Sequence, residues 1–182
     1  AASIEATLSN LKSRVKAQAD SYKEVEELVK NKEKLLAHTP AIQPVSNKDL
    51  NRIASGFGYR IDPVYKTVKF HAGLDFSAPQ GTPIYATADG TVITAGNTGN
   101  GYGNHVVLNH GYGYETLYGH MVRVKVKSGQ AVKRGEVIGW VGSTGKSTGP
   151  HCHYEVHKNG QKIDPIYFFY NDLTPDQFDL IL

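Results

Sequence analysis

Glycine is confined to one stretch of this chain, and that confinement limits most of what the sequence can fold into. All nineteen glycines lie between Gly56 and Gly160, and none occurs in the first 55 residues. Aromatic side chains divide at the same place, since Tyr22 is the only one before Phe57. A glycine-free opening suits a long helix, whereas a glycine-rich remainder suits tight turns between strands.

The opening reads as helix. Ile4, Leu8, Leu11, Val15, Tyr22, Val25, Val29 and Leu36 follow an alternating four-and-three spacing, interrupted by Gln18 and Lys32. Such spacing keeps one face apolar over roughly five heptads. Lys12, Lys16, Lys23, Glu26, Glu27, Lys30 and Glu33 cover the other faces. Pro40 and Pro44 stop the helix and begin an extended linker, so residues 1–45 are expected to form a coiled-coil-like helical segment with its linker. The stripe requires a partner: a second copy or partner helix along residues 4–36, a helix further upstream, or the domain that follows.

From residue 46 to 170 the pattern is β. Thr82–Thr87 and Gly90–Ala95 read as strands broken at Asp89-Gly90, a hairpin signal. His105–Asn109, Tyr114–Tyr118, Arg123–Lys127, Val137–Val141 and His153–His157 follow, with glycine-rich turns among them. The fold class is therefore mainly β, an antiparallel sheet domain preceded by one long helix. Residues 171–182 form a tail in which Thr174-Pro-Asp-Gln177 looks like a helix start before Phe178, Leu180 and Ile181.

Charge and cysteine usage remove several function classes. A formal charge of +3 on 182 residues is too small for a nucleic-acid footprint; mild basicity suits an anionic polymer such as a cell wall without demanding one. The lone Cys152 excludes an internal disulfide and reads as a buried small apolar residue. No apolar run of about eighteen residues is present to span a membrane. The chain opens at Ala1 without a methionine and is read as processed or shortened, with any signal peptide or membrane anchor lying upstream.

Two short patterns carry metal chemistry: His71-Ala-Gly-Leu-Asp75 and His151-Cys-His153. On a strand, residues i and i+2 share a face, so His151 and His153 can line one cleft while Cys152 points the other way. His71 and Asp75 would lie about 13 Å apart on a straight strand, so the chain must bend between them. Gly73 permits a turn or bulge, with His71 on a loop and Asp75 at a strand start. Two imidazoles and a carboxylate suit zinc with an open fourth position, the mark of a catalytic rather than a structural site.

Residues 56–165 resemble the lysostaphin/LytM family of zinc endopeptidases. The resemblance runs through Gly56-Phe-Gly-Tyr-Arg60, His71 to Ala86, Ala88-Asp-Gly-Thr-Val92, Gly103-Asn-His-Val-Val107 and Leu117-Tyr-Gly-His120. It continues through Gly129 to Gly139 and Gly142-Ser-Thr-Gly145, and closes with Gly149-Pro-His-Cys-His-Tyr-Glu155. It implies a groove built on antiparallel sheet, zinc held by His71, Asp75 and His153, and two catalytic histidines, His151 and His120. It further implies hydrolysis of peptide cross-links in bacterial peptidoglycan. With a helical segment ahead of the domain and no wall-targeting module behind, the chain resembles envelope enzymes that act on D-alanyl (D,D-) cross-links, and that substrate implies a periplasmic or otherwise extracytoplasmic location.

No His-Glu-x-x-His motif supplies a glutamate base, so an imidazole titrating near neutrality takes that task. His151 is assigned as base and His120 as oxyanion support or donor to the leaving amine, a division that can be reversed. Arg60 and Tyr118 are expected as substrate-binding groove residues. His105, His110 and His157 read as structural hydrogen-bonding groups, and His38 as a cation at the helix end. Two rival classes remain. One is a non-catalytic peptidoglycan-binding or hydrolase-activating module of the same family, which would have lost ligands this chain keeps. The other is a lipoyl or biotinyl carrier suggested by the Val126–Val141 rhythm, which lacks the expected lysine beside Met121.

Overall fold

The computed structural model describes residues 2–61 and 66–169. It divides into two compact units, one ending at Leu36 and the other starting at Ala37. The tail expected to start a helix at Thr174 lies outside the described residues.

The first unit is a single helix, α1 (Ala2–Ala37), with Glu5 in its first turn and Lys34 in its last, each complementing the helix dipole. It holds no glycine or proline and stops short of Pro40. Lys30 pairs with Glu26 at 2.7 Å on its exposed surface, a contact worth a few tenths of a kcal/mol. Every apolar residue of the predicted stripe is exposed, as are Leu28 and Leu35.

Among the described residues the second unit is built from thirteen strands and one helical turn. In chain order the strands are β1 (Arg52–Ser55), β2 (Gly58–Ile61), β3 (Val68–His71), β4 (Leu74–Ser77), β5 (Pro83–Tyr85) and β6 (Gly90–Asn97). They continue as β7 (Asn104–Gly111), β8 (Tyr114–Met121), β9 (Arg123–Val124), β10 (Ala131–Val132) and β11 (Val137–Trp140). Last come β12 (His151–Lys158), β13 (Gln161–Ile163) and the turn α2 (Ile166–Phe169). The main sheet has the order β1-β4-β12-β8-β7-β6-β10, with β13 paired to β12. A smaller sheet runs β5-β11-β9, and β2 and β3 form a two-stranded ribbon. Among the described residues every strand pair is antiparallel.

The core lies on one face of the main sheet, where Leu74, Phe76, Tyr118, Cys152, Tyr154 and Val156 are buried together with Phe169 from α2. Leu74 and Phe76 on β4, and Cys152, Tyr154 and Val156 on β12, are spaced two apart, so their intervening residues face the opposite side. Burying each large apolar side chain contributes about 1.5–3 kcal/mol, which fixes the register against a slip that would turn them outward.

Two expectations need correction. Asp89-Gly90 does not close a hairpin, because β5 pairs with β11 while β6 pairs with β7 and β10. The segment between β5 and β6 is held otherwise. Thr87 bonds the hydroxyls of Tyr118 and Tyr154, and the Asp89 carboxylate accepts from Arg134 N and Lys133 Nζ. The stretch expected as a linker is also engaged with the sheets: Ala41 N donates to Thr87 O, Tyr85 N donates to Pro44 O, and Val45 is fully buried.

Candidate metal centre

β12 is central, with β4 on one side and β8 on the other. Its core face carries Cys152 and Tyr154, which leaves His151, His153 and Glu155 on the face towards the groove. Antiparallel register sets Asp75 of β4 directly opposite His153, at the separation where cross-strand side chains meet. His71 ends β3, and the chain turns through Ala72 and Gly73 into β4. The turn was expected to use glycine's conformational freedom, with His71 on a loop. The reason for glycine is instead a close approach: a Cβ at position 73 would stand 2.2 Å from the carbonyl oxygen of Tyr154.

Three atoms converge. His71 Nε2 is 3.1 Å from both Asp75 Oδ1 and His153 Nδ1, and His153 Nδ1 is 2.8 Å from Asp75 Oδ1. Their tautomers are set from behind. His71 Nδ1 lies 2.6 Å from Gly56 O, which only accepts, so Nδ1 carries the hydrogen and Nε2 presents its lone pair. His153 Nε2 lies 2.9 Å from Glu155 Oε1 and donates to it, directing Nδ1 into the cluster. Three acceptor atoms pointed at one another repel unless a cation or proton lies among them. Their spacings approach the edge of about 3.3 Å that 2.0–2.1 Å bonds give in a tetrahedral zinc site. The three residues fit a zinc ion.

Burial alone would raise the Asp75 carboxyl, but hydrogen bonds and charge from His153 and His71 hold it well below the usual carboxylate range. Burial would lower His153, yet its bonds to Asp75 and Glu155 push it up to about 9 in the metal-free protein. Glu155, 1% exposed, is likewise held low despite burial, by His153, His157 and Tyr102. It is the support of the site: besides His153 it accepts from Tyr102 Oη at 2.6 Å, His157 Nε2 at 2.6 Å and Lys162 Nζ at 3.2 Å. Sequence reasoning passed over Glu155 and Tyr102. Glu155 was within reach of the strand period, two residues past His153; Tyr102 comes from a glycine-rich loop with no period to read.

His151 and His120 face the same groove, with ring centroids 4.7 Å apart. His151 Nδ1 donates to Gly149 O at 2.8 Å, and its Nε2 is 3.6 Å from Asp75 Oδ1. His120 Nδ1 donates to Thr144 O at 2.8 Å. Each ring therefore turns an Nε2 lone pair away from the backbone. Burial pushes His120 down to about 4, outweighing the Thr144 carbonyl. His120 adopts a φ of 60°, a conformation uncommon outside glycine. That twist breaks the alternation along β8, and it explains why Tyr118 is not a groove residue as expected. Tyr118 pairs with Tyr154 across β8 and β12, is fully buried, and bonds Thr87 and Thr116. Two residues on, the left-handed turn brings His120 to the opposite side.

The groove encloses about 280 Å³ and is lined by Arg60, Lys69, Tyr102 and Lys146 around the five site residues. Its far wall comprises two interlocked loops, in which Lys146 N donates to Gly101 O at 2.8 Å and Asn104 N to Thr144 Oγ1 at 2.9 Å. At Gly103, φ is 64° and a Cβ would meet the Thr144 backbone at 2.4 Å, so the loops close only around glycine. His105, His110 and His157 make structural hydrogen bonds, to Gly103 O, to Asp89 O with Thr116, and to Glu155 respectively. His38 stacks edge-on to Tyr112.

Residues 69–165 match the family described as Peptidase family M23. The chain is 52% identical over 115 residues to "DD-carboxypeptidase/endopeptidase Mpg" of Neisseria meningitidis, covering 63% of this chain and 26% of that protein. It is 46% identical over 114 residues to "Peptidoglycan DD-endopeptidase ShyA" of Vibrio cholerae, covering 62% and 26%. The chain thus spans about a quarter of these relatives. Among solved structures, the catalytic domain of lysostaphin from Staphylococcus simulans aligns at a TM-score of 0.60 with 34% identity, covering 67% of this chain and 92% of that one. A zinc-containing peptidase from Vibrio cholerae aligns at 0.64 with 40% identity, covering 70% and 39%. With the family match spanning more than half the sequence and the lysostaphin-like fold around His71, Asp75 and His153, the chain belongs to peptidase family M23.

Proposed function

We propose that this chain is a zinc endopeptidase that hydrolyses peptide cross-links of bacterial peptidoglycan at D-alanyl bonds. The observation that carries the reading is the convergence of His71 Nε2, Asp75 Oδ1 and His153 Nδ1 beneath two further imidazoles in an open groove. The names of relatives that act as DD-endopeptidases support the substrate. When bound, zinc supplies Lewis acidity that polarises the scissile carbonyl and brings the pKa of water towards neutrality.

The protein's own groups do the rest. His71, Asp75 and His153 hold the ion, and Gly56 O and Glu155 fix the two imidazole tautomers. His151 Nε2, with Nδ1–H committed to Gly149 O, accepts a proton from the attacking water. Water oxygen bonds to the carbonyl carbon, the C–N bond breaks, and the proton that His151 took from the water reaches the departing nitrogen through His120 Nε2. Because burial holds His120 near 4, it enters neutral and surrenders an acquired proton readily. The products are a carboxylate and a protonated amine, which carries both of the water's protons.

The substrate places the enzyme outside the cytoplasmic membrane, and no described helix is long and apolar enough to cross one. The exposed stripe of α1 is assigned to pairing with a second copy or another helix. Incubating the zinc-loaded chain with purified cross-linked muropeptide dimers, and reading the products by mass, tests the function. Monomers released by cleavage at D-alanine are expected, and intact dimers would contradict the proposal.

A further inference from the structure

Tyr102 touches both halves of the site. It lies in the loop between β6 and β7, half-buried against the groove. Its ring stacks on the His153 imidazole, with centroids 5.6 Å apart and planes 27° from parallel. Its hydroxyl donates to Glu155 Oε1 at 2.6 Å, the same oxygen that accepts from His153 Nε2 at 2.9 Å. Its carbonyl accepts from His120 N at 2.8 Å. The loop fixes the residue on both sides: Tyr102 N donates to Asn100 Oδ1, Gly101 O accepts from Lys146 N, and Asn104 N donates to Thr144 Oγ1. The other partners of Glu155 show why the hydroxyl matters. His157 Nε2 and Lys162 Nζ, cross-strand neighbours in β12 and β13, both hold Oε2, at 2.6 and 3.2 Å. They compete with His153 for the carboxylate. A second donor at Oε1 balances them, and a short charge-assisted bond from Tyr102 Oη supplies it.

We propose that Tyr102 is a positioning residue that sets the metal cluster and the proton-transferring imidazole in register. Through Glu155 and through its stacked ring it keeps His153 Nδ1 turned to Asp75 and His71, and through its carbonyl it holds His120 beside them. This rests on the zinc-endopeptidase reading above and adds to it a residue outside the five site histidines and aspartate. The two side-chain contacts restrain different motions. The stacked ring limits rotation of the imidazole, while the hydroxyl keeps the carboxylate behind it from turning towards His157 and Lys162. A site held to within a fraction of an ångström needs both restraints, because a donor free to swing spends less time in the binding geometry.

Tyr102→Phe keeps the ring and removes the hydroxyl, and Tyr102→Leu removes the stack as well. Zinc affinity, read by competition with a chromophoric chelator, is expected to fall about three- to tenfold in Tyr102→Phe, the size of one hydrogen bond, and further in Tyr102→Leu. The visible spectrum of the cobalt(II)-substituted protein should change in the same order. Because the hydroxyl acts through Glu155, adding Tyr102→Phe to Glu155→Gln should cost no more zinc affinity than Glu155→Gln alone. At saturating zinc, Tyr102→Leu should lower kcat on a cross-linked muropeptide dimer with KM little changed. Three results would each overturn the positioning role while leaving the endopeptidase reading intact. They are zinc affinity and cobalt spectrum unchanged in both variants, losses that add in full in the double variant, and a rise in KM alone, which marks a substrate contact. An unaltered chain that binds no zinc, or that cuts no dimer when zinc-loaded, would overturn the endopeptidase reading and the positioning role with it.

Discussion

Glu155 shows how far the site extends beyond the His71–Asp75–His153 cluster. A carboxylate 1% exposed survives there because four groups donate to it, and through His153 it fixes which imidazole nitrogen faces that cluster. Glu155→Gln is expected to weaken zinc binding by about tenfold to a hundredfold while the fold persists, measurable by competition with a chromophoric chelator. His151→Ala and His120→Ala should each lower kcat/KM by about two to four orders of magnitude with zinc retained; near-normal turnover in both would remove the imidazole pair from the mechanism. pH offers a further check. His153 is raised from 6.5 to about 9 in the metal-free protein, so its contribution is complete below about 6.5 and is lost as pH rises through 9. The melting temperature of the metal-free protein should therefore fall across that window, while stabilisation by added zinc grows, because the ion no longer has to displace a proton. The His71–Asp75–His153 cluster was legible in the sequence since His-x-His and His-x-x-x-Asp are short and local. Tyr118 was misplaced because a single left-handed residue, His120, cancels an alternation that sequence alone presents as regular.

At the scale of elements, the His71–Asp75 turn is where backbone contact and chemistry meet. Gly73→Ala would drive a Cβ into the Tyr154 carbonyl and is expected to cost about 3 kcal/mol, read by urea denaturation, with zinc affinity falling as His71 and Asp75 separate. The strands β6, β7, β8, β11 and β12 could be read from apolar periodicity and turn residues. By contrast, β1 to β4 are short, and their burial patterns do not all alternate, so no period announced them. The supposed hairpin at Asp89 failed for a related reason. A turn signal records only that the chain bends, whereas the partner of β5 is decided by burial of Ile84 and Ile138 in one core.

For the whole molecule, the exposed apolar stripe of the helix needs a partner to cover it. Sedimentation is expected to show concentration-dependent association, abolished by Leu11→Asp combined with Val25→Asp; a monomer at all concentrations would leave pairing to a different helix. In the second unit, strands distant in sequence deliver one carboxylate and two imidazoles to a shared point. The most direct measurement is a crystal structure of the zinc-loaded protein with diffraction recorded on both sides of the zinc absorption edge. A single anomalous peak about 2.0–2.2 Å from His71 Nε2, Asp75 Oδ1 and His153 Nδ1 is predicted; no peak there, or zinc bound elsewhere on the chain, would contradict the account.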